Sequence, residues 1–148
     1  MIKTKIEVIA ENLITIHPLL YKSISKPMRN ISSITPGGMF VMGSLKRHGI
    51  LSMTDIGKCL AMPKPHITGI VDKLIEKGYV ARTNDPNDRR IINISLTKKG
   101  LTNFEKIKMA STESLKDKLL LLSEEELEQL SVASQQVKDI LISILSKQ

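Results

Sequence analysis

Two adjacent arginines, Arg89 and Arg90, follow the run Asp85-Pro86-Asn87-Asp88. A guanidinium is a permanently charged fork of N–H donors, suited to phosphate oxygens and to narrow grooves of concentrated negative potential. Asp-Pro-Asn is turn chemistry, with proline at the second position. The flanking runs, YVARTN at 79–84 and RIINISL at 90–96, read as strands, with Ile92, Ile94 and Leu96 on one face of the second. The six residues 85–90 therefore form the tip of a β-hairpin. Asp88 can hold the arginines extended. The plainer reading of the same residues is an exposed, ion-paired loop.

The hairpin needs a scaffold, and MPKPHITGIVDKLIEKG precedes it. Ile67, Ile70, Val71, Leu74 and Ile75 fall at i, i+3, i+4, i+7 and i+8, the stripe of an amphipathic helix. Pro63 and Pro65 bracket its first turn, where missing amide donors cost little, and Gly78 is placed to stop it. Ser52-x-x-Asp55 opens a shorter helix just before, reaching about Ala61. Thr35 and Pro36 cap an earlier helix that ends at Gly49, and Ile50-Leu51 is a brief extended link. Thr97 caps a helix over roughly 98–122.

Both chain ends are expected to be long helices. Ile2, Ile6, Ile9, Leu13, Ile16 and Leu20 form a heptad-like seam, with Pro27 ending the helix or closely following its end. Ser123-x-x-Glu126 is a capping-box pattern, followed by Leu127, Leu130, Ser134, Val137, Leu141 and Ile144 at the same spacing. Such seams pair within one chain or interleave with those of a second.

Charge is unevenly placed. Of the net +7, residues 1–50 carry +5, residues 62–101 carry +4 from eight basic and four acidic side chains, and residues 102–148 carry −2. A polyanion such as nucleic acid suits that surface, and so does plain solvation of a lysine-rich one. Two Tyr, two Phe and no Trp leave few platforms on which single-stranded bases could stack. No run of about 18 apolar residues spans a bilayer, and Glu7 and Glu11 interrupt the apolar pattern of the N-terminus. The chain is read as cytoplasmic. Catalytic motifs such as GxSxG, a glycine-rich phosphate loop or HExxH do not occur. His17, His48 and His66 are scattered and Cys59 is the one cysteine, so neither a metal, a cofactor nor enzymatic activity is expected. Cys59, flanked by Ile56 and Leu60, is expected as a buried small hydrophobe.

Two short helices joined by a tight turn and followed by a hairpin make a winged helix-turn-helix. In such a unit the second helix enters the major groove, which alone admits a helix and presents a distinct pattern for each base pair. Residues 52–100 resemble the MarR family of bacterial transcription regulators. The resemblance rests on D-P-x-D-R-R at Asp85–Arg90, on L-T-x-x-G at Leu96–Gly100, and on the preceding V-D-K-L-x-x-K-G-Y-V. Helix order and length extend it over nearly the whole chain. It implies one domain over 1–148, mainly α with a small β-hairpin. Within that domain, 35–100 would form the DNA-binding winged helix-turn-helix, and 1–27 with 101–148 the helical dimerisation region.

The resemblance also assigns roles. A recognition helix at about 64–77 would present Lys64, Pro65, His66, Thr68 and Gly69, with Lys73 a turn further on. Pro63 stands where the family has a serine cap, and Gly69 where it often carries arginine. On the wing, Arg90 matches the arginine inserted into the minor groove, Asp88 the acid that orients it, and Arg89 lies beside them on phosphate or groove. Similar proteins bind small aromatic or lipophilic effectors. His17 and Tyr21, one turn apart, with Met39, Phe40 and Met42 would line such a cavity, whereas the methionines also fit plain core packing. Some similar regulators sense oxidants through thiols of the first helix, where Cys59 does not lie. The implied protein is a homodimeric repressor that binds palindromic double-stranded DNA and is released by an effector. The alternative is a winged-helix module that binds protein.

Overall fold

The structure, a computed structural model, describes residues 2–147. Its elements are α1 (Ile2–Ile31), α2 (Pro36–His48), β1 (Leu51–Ser52), α3 (Met53–Leu60), α4 (Lys64–Glu76), β2 (Val80–Asn84), β3 (Ile92–Leu96), α5 (Lys98–Leu119) and α6 (Glu124–Leu145). The expected architecture, mainly α with a winged helix-turn-helix, is the one observed. The chain divides into two compact units, residues 1–111 and 112–148.

The core of the first unit is built from the apolar stripes read above. Val41, Met42 and Leu45 of α2, Ile56 of α3, and Ile67, Val71 and Leu74 of α4 are buried together with Ile94 of β3 and Ile107 of α5. Each such side chain contributes about 1.5–3 kcal/mol relative to an exposed position. The capping signals act as expected. Gly38 donates its N–H to Thr35 Oγ1 at 3.2 Å, and Asp55 donates to Ser52 Oγ at 3.1 Å. At Ser123 and Glu126 both hydrogen bonds of the capping box form.

Three features differ from expectation. The wing is more than a hairpin: Leu51 pairs with Ile94 and Ser52 with Asn93, so the sheet has three antiparallel strands in the order β1-β3-β2. The central place of β3 is what buries Ile94 completely. Helix α1 does not end at Pro27. It continues to Ile31 with Pro18 and Pro27 inside it. Two prolines remove two helical donors, but the last turns bury Ser25 and Met28 against the core, and tertiary packing outweighs the local cost. Cys59 is exposed rather than buried.

The two apolar seams are uncovered among the described residues. Ile6, Ile9, Ile16 and Leu20 of α1 are all exposed, and Leu13 is half-buried; the side chain of Ile2 lies outside the described residues. In the second unit, Leu127, Leu130, Val137, Leu141 and Ile144 of α6 are exposed as well. No described helix is long and apolar enough to cross a membrane.

Candidate nucleic-acid interface

Helix α4 is positioned from both ends. At its C-terminus Gly78 takes φ 72°, and the turn closes with Gly78 N–H on Ile75 O at 2.8 Å and Tyr79 N–H on Leu74 O at 2.9 Å. This paired arrangement needs a residue in the left-handed region, which glycine adopts without a Cβ penalty. The chain then turns directly into β2. At its N-terminus Pro63 gives no side-chain cap, and Lys64, Pro65 and His66 stand exposed on the first turn. Thr68 is half-buried, its hydroxyl donating to Lys64 O at 3.0 Å. Gly69 is exposed, and a Cβ there would meet nothing within 4 Å. Gly69→Ala is therefore expected to stabilise the fold by about 0.5–1 kcal/mol through helix propensity alone. A shift of the urea midpoint to higher concentration at unchanged slope checks this; a lower midpoint would mean that the backbone at 69 is held by something other than helix geometry.

The wing tip is organised by two carboxylates. Asp85 Oδ1 accepts the N–H groups of Asn87 and Asp88 at 2.9 and 3.1 Å, and Oδ2 accepts from Asn93 Nδ2 at 3.1 Å. Backbone bonds from Asp85 N–H to Ile91 O and from Ile91 N–H to Asp88 O, each 3.0 Å, close the loop. Asp88 then grips Arg90: Nε lies 3.1 Å from Oδ1, Nη2 lies 3.2 Å from Oδ2, and the Arg90 N–H donates to Oδ1 at 3.0 Å. The Arg90 side chain nevertheless remains 90% exposed. It is aimed outward by a fork that only arginine can complete. Arg89 is exposed beside it.

These contacts hold both carboxyls below the ordinary value of 3.8. For Asp88 the chief cause is the hydrogen bond from the Arg90 side chain; for Asp85 it is the Asn87 N–H, then Asn93. A depressed folded value means the contribution is complete above 3.8 and is lost only as pH falls through the lower folded value. The tip is thus expected to keep one conformation between about pH 5 and pH 8 and to loosen only at more acid pH. The amide resonances of Asn87 and Arg90 would report this; movement around neutral pH would contradict the carboxylate clamp.

Helix and wing face one cleft of about 600 Å³. Its lining joins Lys64 and Thr68 of α4, Ser52, Thr54 and Asp55 at the start of α3, and Arg82, Asp85, Arg90 and Asn93 of the wing. A further ion pair, Arg82 Nη2 to Asp72 Oδ1 at 2.8 Å, ties β2 to α4. The structure thus brings Lys64, Thr68 and Arg90 together. Lys73 is elsewhere, on the flank of α4 beside Ser33, Ile34 and Thr35. Ser52, Thr54, Asp55 and Arg82 were not foreseen in this place. Ser52 and Asp55 carry a capping signal that accounts for them locally, and the Arg82–Asp72 pairing spans ten residues with no sequence mark.

The residues expected around an effector differ in burial. Met42 is fully buried in the core and Met39 packs partly buried against it, whereas Phe40, Tyr21 and His17 are exposed. None of the five lines the cleft between α4 and the wing.

The MarR family matches residues 34–92, the span from the start of α2 into β3. Over 112 residues the chain is 33% identical to the HTH-type transcriptional repressor MdtR of Bacillus subtilis, covering 76% of this chain and 69% of MdtR. The chain belongs to the MarR family of transcription regulators. Of the next curated MarR-like relatives it spans a little over half, 55% and 57% of their length. Among solved structures, the YusO protein of Bacillus subtilis superposes with a TM-score of 0.73 at 27% identity, covering 94% of this chain and 98% of that one. A point mutant of S. aureus MepR, bound to an oligodeoxyribonucleotide, gives a TM-score of 0.65 at 25% identity over 89% of this chain and 96% of its own. This MarR-family fold therefore extends over nearly the whole chain, beyond the residues of the family match.

Proposed function

We propose that this chain is a homodimeric repressor that binds palindromic double-stranded DNA through residues 35–100, with one recognition helix per half-site. The carrying observation is the shared cleft: Lys64 and Thr68 at the exposed start of α4 and the outward Arg90 of the wing approach one surface. A duplex can there meet the helix in its major groove and Arg90 in the neighbouring minor groove. The DNA-bound MepR relative, similar over 89% of this chain, supports the same reading. Lys64, Pro65, His66, Thr68, Gly69 and Lys73 are the recognition-helix positions, and Asp88, Arg89 and Arg90 the wing.

Dimerisation rests on the uncovered seams of α1 and α6, which place rows of isoleucine and leucine in water. The dimerisation region is 1–27 with 101–148. Release follows when a small aromatic or lipophilic effector favours a dimer whose two recognition helices no longer match the half-site spacing. The cytoplasm is the compartment such a protein needs.

Fluorescence anisotropy with a duplex from just upstream of the chain's own gene, at two salt concentrations, tests the proposal. Tight binding that weakens steeply with salt is expected, because lysines and arginines displace condensed counterions from the duplex. Salt-independent binding, or equal affinity for any acidic protein, would leave the protein-binding reading in its place.

A further inference from the structure

The outermost strip of α4 is poor in the chemistry that reads bases. At 100° per residue, the buried Ile67, Ile70, Val71 and Leu74 centre on one direction, and Pro65, Gly69, Asp72 and Glu76 lie within about 30° of the opposite one. All four are exposed, and a major groove would meet them first. A proline ring, a glycine and two carboxylates offer no side-chain donor. Asp72 is already engaged, its Oδ1 accepting from Arg82 Nη2 at 2.8 Å. The base edges in that groove are chiefly acceptors: N7 and O6 of guanine, N7 of adenine, O4 of thymine. A carboxylate can meet only the amino groups of adenine and cytosine, and the flanking phosphates repel it. Gly69 adds to this. Glycine inside a helix is destabilising, yet a Cβ at 69 would meet nothing within 4 Å, so no packing within the chain calls for it. The bare position lets the backbone of α4 approach the groove floor with no side chain to question it.

The donors of α4 stand on its flanks instead. Lys64 and Lys73 lie about 180° apart round the helix axis. Lys64 lines the cleft toward the wing, and Lys73 lines the hollow on the other side with Ser33, Ile34 and Thr35. Thr68, on the wing side, spends its hydroxyl proton on Lys64 O at 3.0 Å. His66 lies on the Lys73 side, about 90° from the centre of the outer strip. A helix about 10–12 Å across fills a major groove about 12 Å wide, so opposite flanks face opposite walls. Those walls are sugar and phosphate, which position a protein but carry no sequence.

We propose that α4 of this chain docks on phosphates without reading base order, and that the choice of DNA passes to the minor groove beneath Arg90. The partner is then a duplex rich in A·T pairs where the wing touches it. A·T tracts narrow that groove and deepen its negative potential, and they lack the guanine N2 amine that stands in the way of a guanidinium. Arg90 suits this task, because Asp88 fixes its direction while its side chain stays 90% exposed. Lys64 and Lys73 hold the helix between the two phosphate walls while the wing selects. The inference rests on the duplex-binding reading above and names the class of DNA which that reading leaves open.

Inosine separates the two grooves. An I·C pair shows the G·C pattern in the major groove but, without the N2 amine, the A·T pattern in the minor groove. The test is fluorescence anisotropy of the full chain at one salt concentration with three duplexes of equal length and identical purine–pyrimidine order, built from A·T, I·C or G·C pairs. The A·T and I·C duplexes are expected to bind within about 2-fold of each other and the G·C duplex at least about 5-fold more weakly, the low end of the penalty for one wrong pair. Arg90→Ala should bring the three affinities together. The double variant Lys64→Gln/Lys73→Gln, altered only at exposed positions, should weaken all three by one common factor and keep the preference. I·C binding as weakly as G·C overturns the proposal, since α4 is then reading the major groove. So does equal binding of all three by the parent, or a preference that survives Arg90→Ala. Binding to none of the three, even at low salt, overturns the duplex-binding reading itself and this inference with it.

Discussion

Arg90→Ala is expected to weaken duplex DNA binding about 5- to 150-fold, the range given by about 1–3 kcal/mol for a groove-reading arginine. The argument rests on geometry. Arg90 is held by Asp88 at two nitrogens, 3.1 and 3.2 Å away, while its side chain stays 90% exposed. Alanine removes both the charge and its aim. Asp88→Ala separates the two, since Arg90 keeps its charge and loses its support; a smaller loss in the same direction is expected. Arg90→Lys keeps the charge but cannot form the fork, so it should resemble Asp88→Ala more than the parent. Anisotropy titrations of the three variants at one salt concentration check the order. Unchanged affinity for Arg90→Ala would remove the wing from the interface.

Gly100→Ala is expected to cost about 3 kcal/mol of stability, the upper end for overpacking a closed site. Gly100 is buried where α5 leaves the wing. A Cβ built there would lie 2.8 Å from the carbonyl carbon of Tyr79, nearer still to its oxygen, and 3.0 Å from Leu96 Cδ1. Backbone, not a flexible side-chain end, has to give way. The same carbonyl accepts from Thr97 N–H at 3.0 Å and from the Thr97 hydroxyl at 3.1 Å, and Gly100 N–H donates to Thr97 Oγ1 at 2.9 Å. Displacing Tyr79 therefore disturbs the knot joining the end of α4, the base of the sheet and the start of α5. Against a total stability of about 5–15 kcal/mol such a loss is large. Urea unfolding reads it as a lowered midpoint at similar slope, and an unshifted midpoint would show that α5 can slide away freely.

Gly100 also illustrates what the sequence does and does not disclose. L-T-x-x-G is visible at Leu96–Gly100, but its reason is a contact with Tyr79, far back along the chain, which no local pattern carries. The elements were legible because their signals are local. Serine and threonine caps, the i, i+3, i+4 stripe of α4 and the alternation of β3 each follow from neighbours within one or two turns. Pro27 misleads for the complementary reason: a local rule stops the helix, and burial of Met28 and Ser25 keeps it going. Cys59 misleads by angle. At 100° per residue it lies about 80° round α3 from the centre of the face made by Ile56 and Leu60, enough to reach solvent. The third strand was half legible. Ile50-Leu51 reads as extended, but its pairing with β3 joins Leu51 to Ile94, positions far apart in the chain. The cleft between α4 and the wing has the same character, because Arg82 and Asp72 meet only after the sheet turns back onto the helix.

The wing tip carries two carboxylates and two guanidiniums in six residues, Asp85 to Arg90, and its formal charge is zero. At distances beyond the Debye length, about 8 Å in physiological salt, such a cluster exerts little pull on an approaching polyanion. Attraction from afar falls instead to lysines that form no ion pair among the described residues, Lys64 and Lys73 among them. The tip acts only once contact is made, when the guanidinium that Asp88 has oriented enters the groove. Capture and retention are thereby assigned to different side chains. Lysine variants on α4 should slow association and flatten its salt dependence, whereas Arg90→Ala should leave association nearly untouched and shorten the lifetime of the complex.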